Sequence, residues 1–237
     1  MNCVFLDFDG VLFDTLKEAY LLCRYAFDGT DYFEPVDDIE YKKLYRYKFL
    51  VYNSWQYYYL MGLINENLSD EALISKYEHF MQKRDLDAEK VFDKKYYSAR
   101  RDLMSNYHEF WDKLEQPFPF FYELKQLIKS SKIVTPIVSK KNKKAIEYRL
   151  EQHGIKLSSD MIFGKDELAG YATKADFIAE YMENNHIKTA YFVDDNSNNL
   201  LPCKAYPQIV PLLAGWGNIA IDETGLTCEQ VINRISG

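Results

Sequence analysis

The 237-residue sequence has no apolar run approaching the roughly 18 residues that a membrane-spanning helix requires, which argues against a helical membrane protein. No basic segment precedes its first apolar stretch, and Met1-Asn2-Cys3-Val4-Phe5-Leu6-Asp7 reaches an acid after a few residues, unlike a signal peptide. Cysteine is scarce. Cys3, Cys23, Cys203 and Cys228 lie far apart with no Cys-x-x-Cys pair, so neither a disulfide framework nor a zinc ribbon is indicated, and they read as reduced thiols of a cytoplasmic protein. The 4 histidines follow no ligand spacing. Only 10 Gly and 7 Pro against 47% hydrophobic residues exclude a disordered or low-complexity chain. Positive charge is outnumbered, 29 Lys and Arg against 36 Asp and Glu, and no long basic block occurs, so neither nucleic acid nor an anionic membrane is expected as the main partner. At a net charge of −7, any phosphate ligand has to be held by local chemistry.

What is abundant is tyrosine, and it is unevenly spread: 14 of the 20 lie between Tyr20 and Tyr107. That stretch has helical spacing, few turn signals and much Lys and Glu, and it predicts three to five helices and no sheet. Leu44, Tyr47, Val51, Trp55, Tyr58 and Gly62 recur at three- and four-residue steps, which predicts one long amphipathic helix; Ser69-Asp70-Glu71 and Asp87-Ala88-Glu89 read as helix starts. Outside it the texture alternates. Strands are predicted at Val4 to Phe8, Ile133 to Val138, Met161 to Phe163, Thr189 to Val193 and Gln208 to Leu213. Helices are predicted at Phe121 to Ser130, Lys141 to His153 and Lys174 to Asn184. Strands alternating with helices predict an α/β fold with a doubly wound, Rossmann-like parallel sheet covered on both faces. The domains are then an α/β core of 1–14 with 117–237 and an inserted helical domain of 15–116. Pro136 falls inside the second strand and predicts a late start or a bulge there.

Ligands of open α/β sheets sit beyond the carboxyl ends of the strands, so the polar residue closing each apolar run is the one to examine. These are Asp7 and Asp9, Ser139, and Asp194 with Asp195, while Lys174 opens the helix before the fourth strand. Several carboxylates at one edge would repel in a water-poor cleft, and a hard divalent cation relieves that repulsion. An all-oxygen donor set without His or Cys suits Mg²⁺ better than Zn²⁺.

The segment Phe5-Leu6-Asp7-Phe8-Asp9-Gly10-Val11-Leu12-Phe13-Asp14-Thr15 resembles the first motif of the haloacid dehalogenase superfamily. Val138-Ser139-Lys140-Lys141-Asn142 resembles the second motif, Lys174 the lysine of the third, and Phe192-Val193-Asp194-Asp195-Asn196-Ser197-Asn198-Asn199 the acidic fourth. The resemblance covers the first dozen residues and Phe121 to about Leu213; the inserted region is similar only in kind to the helical cap of many relatives. It implies a Mg²⁺-dependent phosphohydrolase of a small phosphate ester, with Asp7 as nucleophile and Asp9 as general acid and base. Ser139 would hold a phosphoryl oxygen and Lys174 would neutralise charge. Mg²⁺ would lie on the Asp7 carboxylate, the Asp9 carbonyl and Asp195, with Asp194 an outer or indirect ligand. Lys140, and Lys48 and Arg46 of the cap, are the expected substrate contacts. An acid at position 9 favours phosphate-ester chemistry over dehalogenation. Lys174 is preferred to its rival Lys165 because Thr173-Lys174 opens a helix 21 residues before Asp195. Asn199 stands where many relatives carry a second acid, which implies a different support for the metal. A sugar-phosphate phosphomutase, or a regulatory protein keeping the fold without turnover, are the alternatives.

Overall fold

The computed structural model describes residues 2–237. The chain divides into two compact units, Thr15–Glu115 and the remainder, in which the residues up to Asp14 join Gln116–Gly237.

The second unit is an α/β domain. Its strands are β1 (Asn2–Leu6), β4 (Ile133–Val134), β5 (Ile137–Val138), β6 (Ile162–Phe163), β7 (Ala190–Asp194) and β8 (Ile209–Leu213), all paired in parallel in the order β6-β5-β1-β7-β8. β4 pairs with the start of β1. β4 and β5 are two halves of the predicted second strand, and Pro136 is where it breaks. Proline has no N–H for the ladder, but its carbonyl still accepts from Leu6 N at 3.0 Å, which keeps both halves beside β1. A separate two-residue ladder joins β2 (Phe13–Asp14) to β3 (Gln116–Pro117), the points where the chain leaves and re-enters this unit.

The sheet is apolar on both faces because its strands are covered on both. Val4 and Leu6 of β1 face one layer with Phe120, Phe121 and Leu124 of α7 (Pro119–Lys129), Ile146 and Leu150 of α8 (Lys143–Gln152), and Val231 and Ile235 of α11 (Cys228–Ser236). Cys3 and Phe5 face the other, with Ala175, Phe177, Ile178 and Met182 of α9 (Lys174–Asn184). The alternation along β1 is the period-two geometry of a strand. This is the doubly wound α/β fold expected from the sequence.

The unit Thr15–Glu115 holds six α-helices and no strand: α1 (Leu16–Asp28), α2 (Asp38–Tyr47), α3 (Tyr57–Ile64), α4 (Asp70–Gln82), α5 (Leu86–Asn106) and α6 (His108–Leu114). The single long helix expected from Leu44 to Gly62 is not formed. It is broken at Val51, which is extended, and restarts through a capping box in which the Gln56 side chain accepts from the Tyr52 and Asn53 amides at 2.8 Å. Local side-chain to backbone bonding outcompetes the helical period there. The start expected at Asp87-Ala88-Glu89 is the first turn of α5, with Asp85, two residues before Asp87, capping the Ala88 amide, and Ser69 caps α4 as its sequence suggests. The interior of this unit contains a fully buried carboxylate, Glu18, on which Arg100 (2.5 and 2.9 Å) and the Trp111 indole (2.7 Å) converge. Many of the tyrosines pack as rings while their hydroxyls find acceptors, as Tyr20 does on Glu40 and Tyr59 on Glu89.

Candidate active site

Three adjacent strands place the functional side chains. β1 ends at Leu6, and the Asp7 amide continues the ladder by donating to Val193 O at 2.9 Å. β5 ends at Val138, and the Ser139 amide donates to Phe163 O at 3.0 Å. β7 ends on Asp194 itself. α9 begins at Lys174 because Thr173 and Asp176 cap one another reciprocally, which sets the first side chain of the helix at the strand ends.

Asp7, Ser139, Lys174, Asp194 and Asp195 are all buried. Lys174 Nζ lies 2.9 Å from Asp7 Oδ2 and 2.8 Å from Asp194 Oδ2. Asp7 Oδ1 accepts from the Phe8 amide at 2.7 Å. Asp194 is saturated: Oδ1 accepts from Asn196 N and Asn199 Nδ2, and Oδ2 from Lys174 and Asn199. Asn199 thus supports Asp194 from a position where an acid would have added a further negative charge. Lys165, the rival lysine, is exposed, and its amide donates to Lys141 O at 3.1 Å.

Burial pushes the Asp7 carboxyl up to about 6, against the pull of Lys174, with Asp194 adding to the rise. Burial also raises Asp194. For Lys174 burial works toward the neutral form, but Asp194 and Asp7 outweigh it and hold the ammonium above its ordinary range.

The carboxylates of Asp7, Asp194 and Asp195 each offer an oxygen within 4.8 Å of the others. One ammonium between three buried acids leaves the group short of positive charge, and its donors are all hard oxygens. That donor set fits a hard divalent cation such as Mg²⁺.

Asp195 is held by a contact that no sequence motif signals. Its Oδ2 accepts from both the amide and the side-chain Nδ2 of Asn218, each at 2.8 Å, from the loop after β8. The same loop is pinned to the first motif by Trp216, whose indole donates to Val11 O at 3.0 Å. Gly10 adopts φ +82°, and a Cβ there would fall 1.9 Å from Asp195 Oδ2. Gly10→Ala is therefore expected to cost at least about 2 kcal/mol of stability and to weaken divalent-cation binding by about tenfold or more, as displaced support of a ligand does. Denaturant unfolding and calorimetric Mg²⁺ titration test this, and an unchanged Mg²⁺ affinity in the folded variant would remove Asp195 from the cation site.

Asp9 lies two residues beyond Asp7 with its side chain 39% exposed and its Oδ1 3.1 Å from Lys141 Nζ. The sequence points to Lys140 as the substrate contact and does not single out Lys141; the helix expected from Lys141 begins instead at Lys143, capped by Asn142. Lys140 is exposed, yet desolvation of its ammonium and the like charge of Lys174 depress it, while Asp7 and Asp194 act the other way. The two cap candidates have partners inside their own unit: Arg46 makes a bidentate pair with Asp70, and Lys48 donates to Val51 O and sits 5.6 Å from the centroid of the Tyr57 ring.

No protein-family model matches the chain, and no curated protein matches it. Solved structures do. A haloacid dehalogenase-like family hydrolase from Streptococcus pneumoniae superposes with a TM-score of 0.61 at 16% identity, covering 99% of this chain and 98% of that one. A predicted phosphatase from Clostridium acetobutylicum gives 0.64 at 15%, covering 99% and 97%. A predicted phosphoglycolate phosphatase from Haemophilus somnus gives 0.58 at 15%, covering 93% and 88%. The chain has the fold of haloacid dehalogenase-like hydrolases with an inserted helical cap.

Proposed function

We propose that this protein is a Mg²⁺-dependent phosphohydrolase that cleaves a small phosphorylated metabolite through an aspartyl phosphate on Asp7. The observation that carries this reading is the Lys174 ammonium held between Asp7 and Asp194, beside Asp195 and two residues from Asp9, at the carboxyl ends of β1 and β7. The structural neighbours, a haloacid dehalogenase-like hydrolase and a predicted phosphatase, agree with it.

Mg²⁺, on the carboxylates of Asp7 and Asp195 and the carbonyl of Asp9, would supply the positive charge that a phosphoryl group needs next to so many acids. Asp194, already saturated by Lys174, Asn196 and Asn199, serves to hold Lys174. A carboxylate oxygen of Asp7 attacks phosphorus, and the bond from phosphorus to the leaving oxygen breaks as Asp9 gives that oxygen its proton. Water then attacks phosphorus, Asp9 takes a proton from it, and the acyl phosphate bond breaks to restore Asp7 and release inorganic phosphate. Ser139 donates to a phosphoryl oxygen, while Lys174 balances charge on nucleophile and phosphate, the contribution on which phosphoryl transfer chiefly depends. Lys140 lies at the same strand end for an outer contact with the substrate, and Lys48 and Arg46 are the cap's candidates for others. The net charge of −7 and the four free cysteines fit a metabolite enzyme of a reducing, cytoplasmic setting better than a nucleic-acid or membrane protein.

Hydrolysis of p-nitrophenyl phosphate tests the class. Phosphate release is expected with Mg²⁺, to be lost in EDTA and restored by excess Mg²⁺; release that survives EDTA overturns the reading. A panel of phosphoglycolate, sugar phosphates and nucleoside monophosphates then ranks substrates by kcat/KM, and free phosphate rather than an isomerised sugar phosphate is the expected product.

A further inference from the structure

Two adjacent lysines follow Ser139, and they are placed in opposite ways. Lys140 is exposed. The Lys141 side chain is 1% exposed, and its ammonium lies 3.1 Å from Asp9 Oδ1 and 5.6 Å from the centroid of the Phe8 ring. The backbone around it is braced. The Lys141 amide donates to Ser139 Oγ at 3.4 Å, and its carbonyl accepts from Lys165 N at 3.1 Å. The loop after β6 lies flat against that carbonyl, since a Cβ on Gly164 would come within 2.8 Å of it. A lysine buried to this degree gives up hydration that an exposed ion pair would keep, and its packed stem holds the ammonium in a narrow range of positions. Its partner is the more accessible group: Asp9 sits on a turn, and without a restraint its carboxylate has several rotamers to choose from.

We propose that Lys141 is a positioning residue for Asp9. By engaging Oδ1 it fixes the plane of the carboxylate and leaves Oδ2 as the oxygen that gives the leaving group its proton and later takes one from water. General acid catalysis needs that oxygen within hydrogen-bond reach of the leaving atom, and a restrained carboxylate meets the condition in a larger fraction of encounters. The inference rests on the phosphohydrolase reading above and adds to it the residue that orients the proton donor.

Two substrates separate this role from a merely structural one. p-Nitrophenolate leaves without a proton, whereas the alkoxide of glycerol 2-phosphate needs one. In Lys141→Met, kcat/KM for glycerol 2-phosphate is expected to fall about ten- to a hundredfold, part of the roughly hundred- to ten-thousandfold that general acid catalysis supplies, and that for p-nitrophenyl phosphate less than about threefold. Asp9→Asn is expected to show the same bias, and adding Lys141→Met to it to lower the alkyl rate no further. The ratio of the two rates within one preparation does not depend on the fraction folded, so it is read even from a destabilised variant, and Lys141→Arg is expected to keep the wild-type ratio more closely than Lys141→Gln. Equal losses on both substrates, or losses that multiply with those of Asp9→Asn, overturn the positioning role and leave the phosphohydrolase reading standing. A wild-type protein that hydrolyses neither ester overturns that reading and this one with it.

Discussion

Asp7→Asn is expected to abolish turnover and to stabilise the metal-free protein. The loss of activity, at least about a thousandfold, follows from removing the nucleophile, because an amide cannot form the acyl phosphate. The gain in stability follows from burial. Asp7 is pushed up to about 6 in the fold from 3.8, chiefly by desolvation, so its ionised form is less favourable folded than unfolded. The sign is the reverse of the usual salt-bridged carboxylate. The penalty is complete above about pH 6, shrinks as pH falls and the folded state takes up the proton, and is gone below the unfolded value. Asparagine is nearly isosteric, can still accept from the Phe8 amide, and leaves Lys174 with Asp194. In EDTA at pH 8 the variant is expected to be more stable by on the order of 1–3 kcal/mol, the lower part of that range if the lost pairing with Lys174 weighs heavily. For a chain of this size that is a rise in Tm of roughly 2–12 °C. At pH 4, close to the unfolded value, most of the difference is expected to have disappeared. Mg²⁺ should narrow the difference at pH 8, since the wild type has the better cation site. A variant that melts lower than the wild type in EDTA at pH 8, or that keeps a tenth of the activity, is incompatible with Asp7 as a buried nucleophile in an acid cluster.

The legible parts of this protein are those decided by local chemistry. Buried parallel strands are short apolar runs, and the first polar residue after each run falls at the ligand-binding edge, so Asp7, Ser139 and Asp194 could be placed before any coordinates. Thr173 and Asp176 cap one another three residues apart, which is why the position of Lys174 at a helix start was also readable. Pro136 marked its own break. The parts that were not legible depend on residues far apart in the chain. Asn218 supports Asp195 only because the loop after β8 turns back over Gly10, and Gly217 allows the approach: a Cβ there would lie 2.4 Å from Gly10 O. Lys141 meets Asp9 across 132 residues, and nothing in Ser139-Lys140-Lys141 says which lysine points inward. Within the cap, Glu18 and Arg100 are 82 residues apart and look like two solvated charges on amphipathic helices until they are paired. The period from Leu44 to Gly62 misled for a different reason: the apolar spacing is real, but Gln56 binding the Tyr52 and Asn53 amides stabilises a break that periodicity does not record.

Lys174→Met carries the larger structural penalty, because the ammonium lies within a group of buried acids. Methionine keeps much of the volume but leaves Asp7 Oδ2 and Asp194 Oδ2 without the donor they share at 2.9 and 2.8 Å. Breaking a buried pair by removing one partner typically costs about 3–5 kcal/mol, which for this chain length is a fall in Tm of roughly 6–20 °C. Two features distinguish this from a packing defect. Burial already raises both acids, so the variant is expected to recover stability as pH falls and the carboxyls take up protons, whereas a cavity would be indifferent to pH. Removing one negative charge together with the positive one should also help: Asp7→Asn is expected to stabilise the Lys174→Met background by more than it stabilises the wild type, whereas two independent changes would simply add. Lys140→Met, by contrast, changes an exposed side chain and should move stability by no more than about 0.5 kcal/mol. Thermal melts of the five proteins in EDTA at pH 8 and pH 5 decide the matter. If Lys174→Met melts with the wild type, or the double variant melts below it, the ammonium is not what holds the carboxylates of β1 and β7 together, and the charge balance on which the catalytic reading depends fails with it.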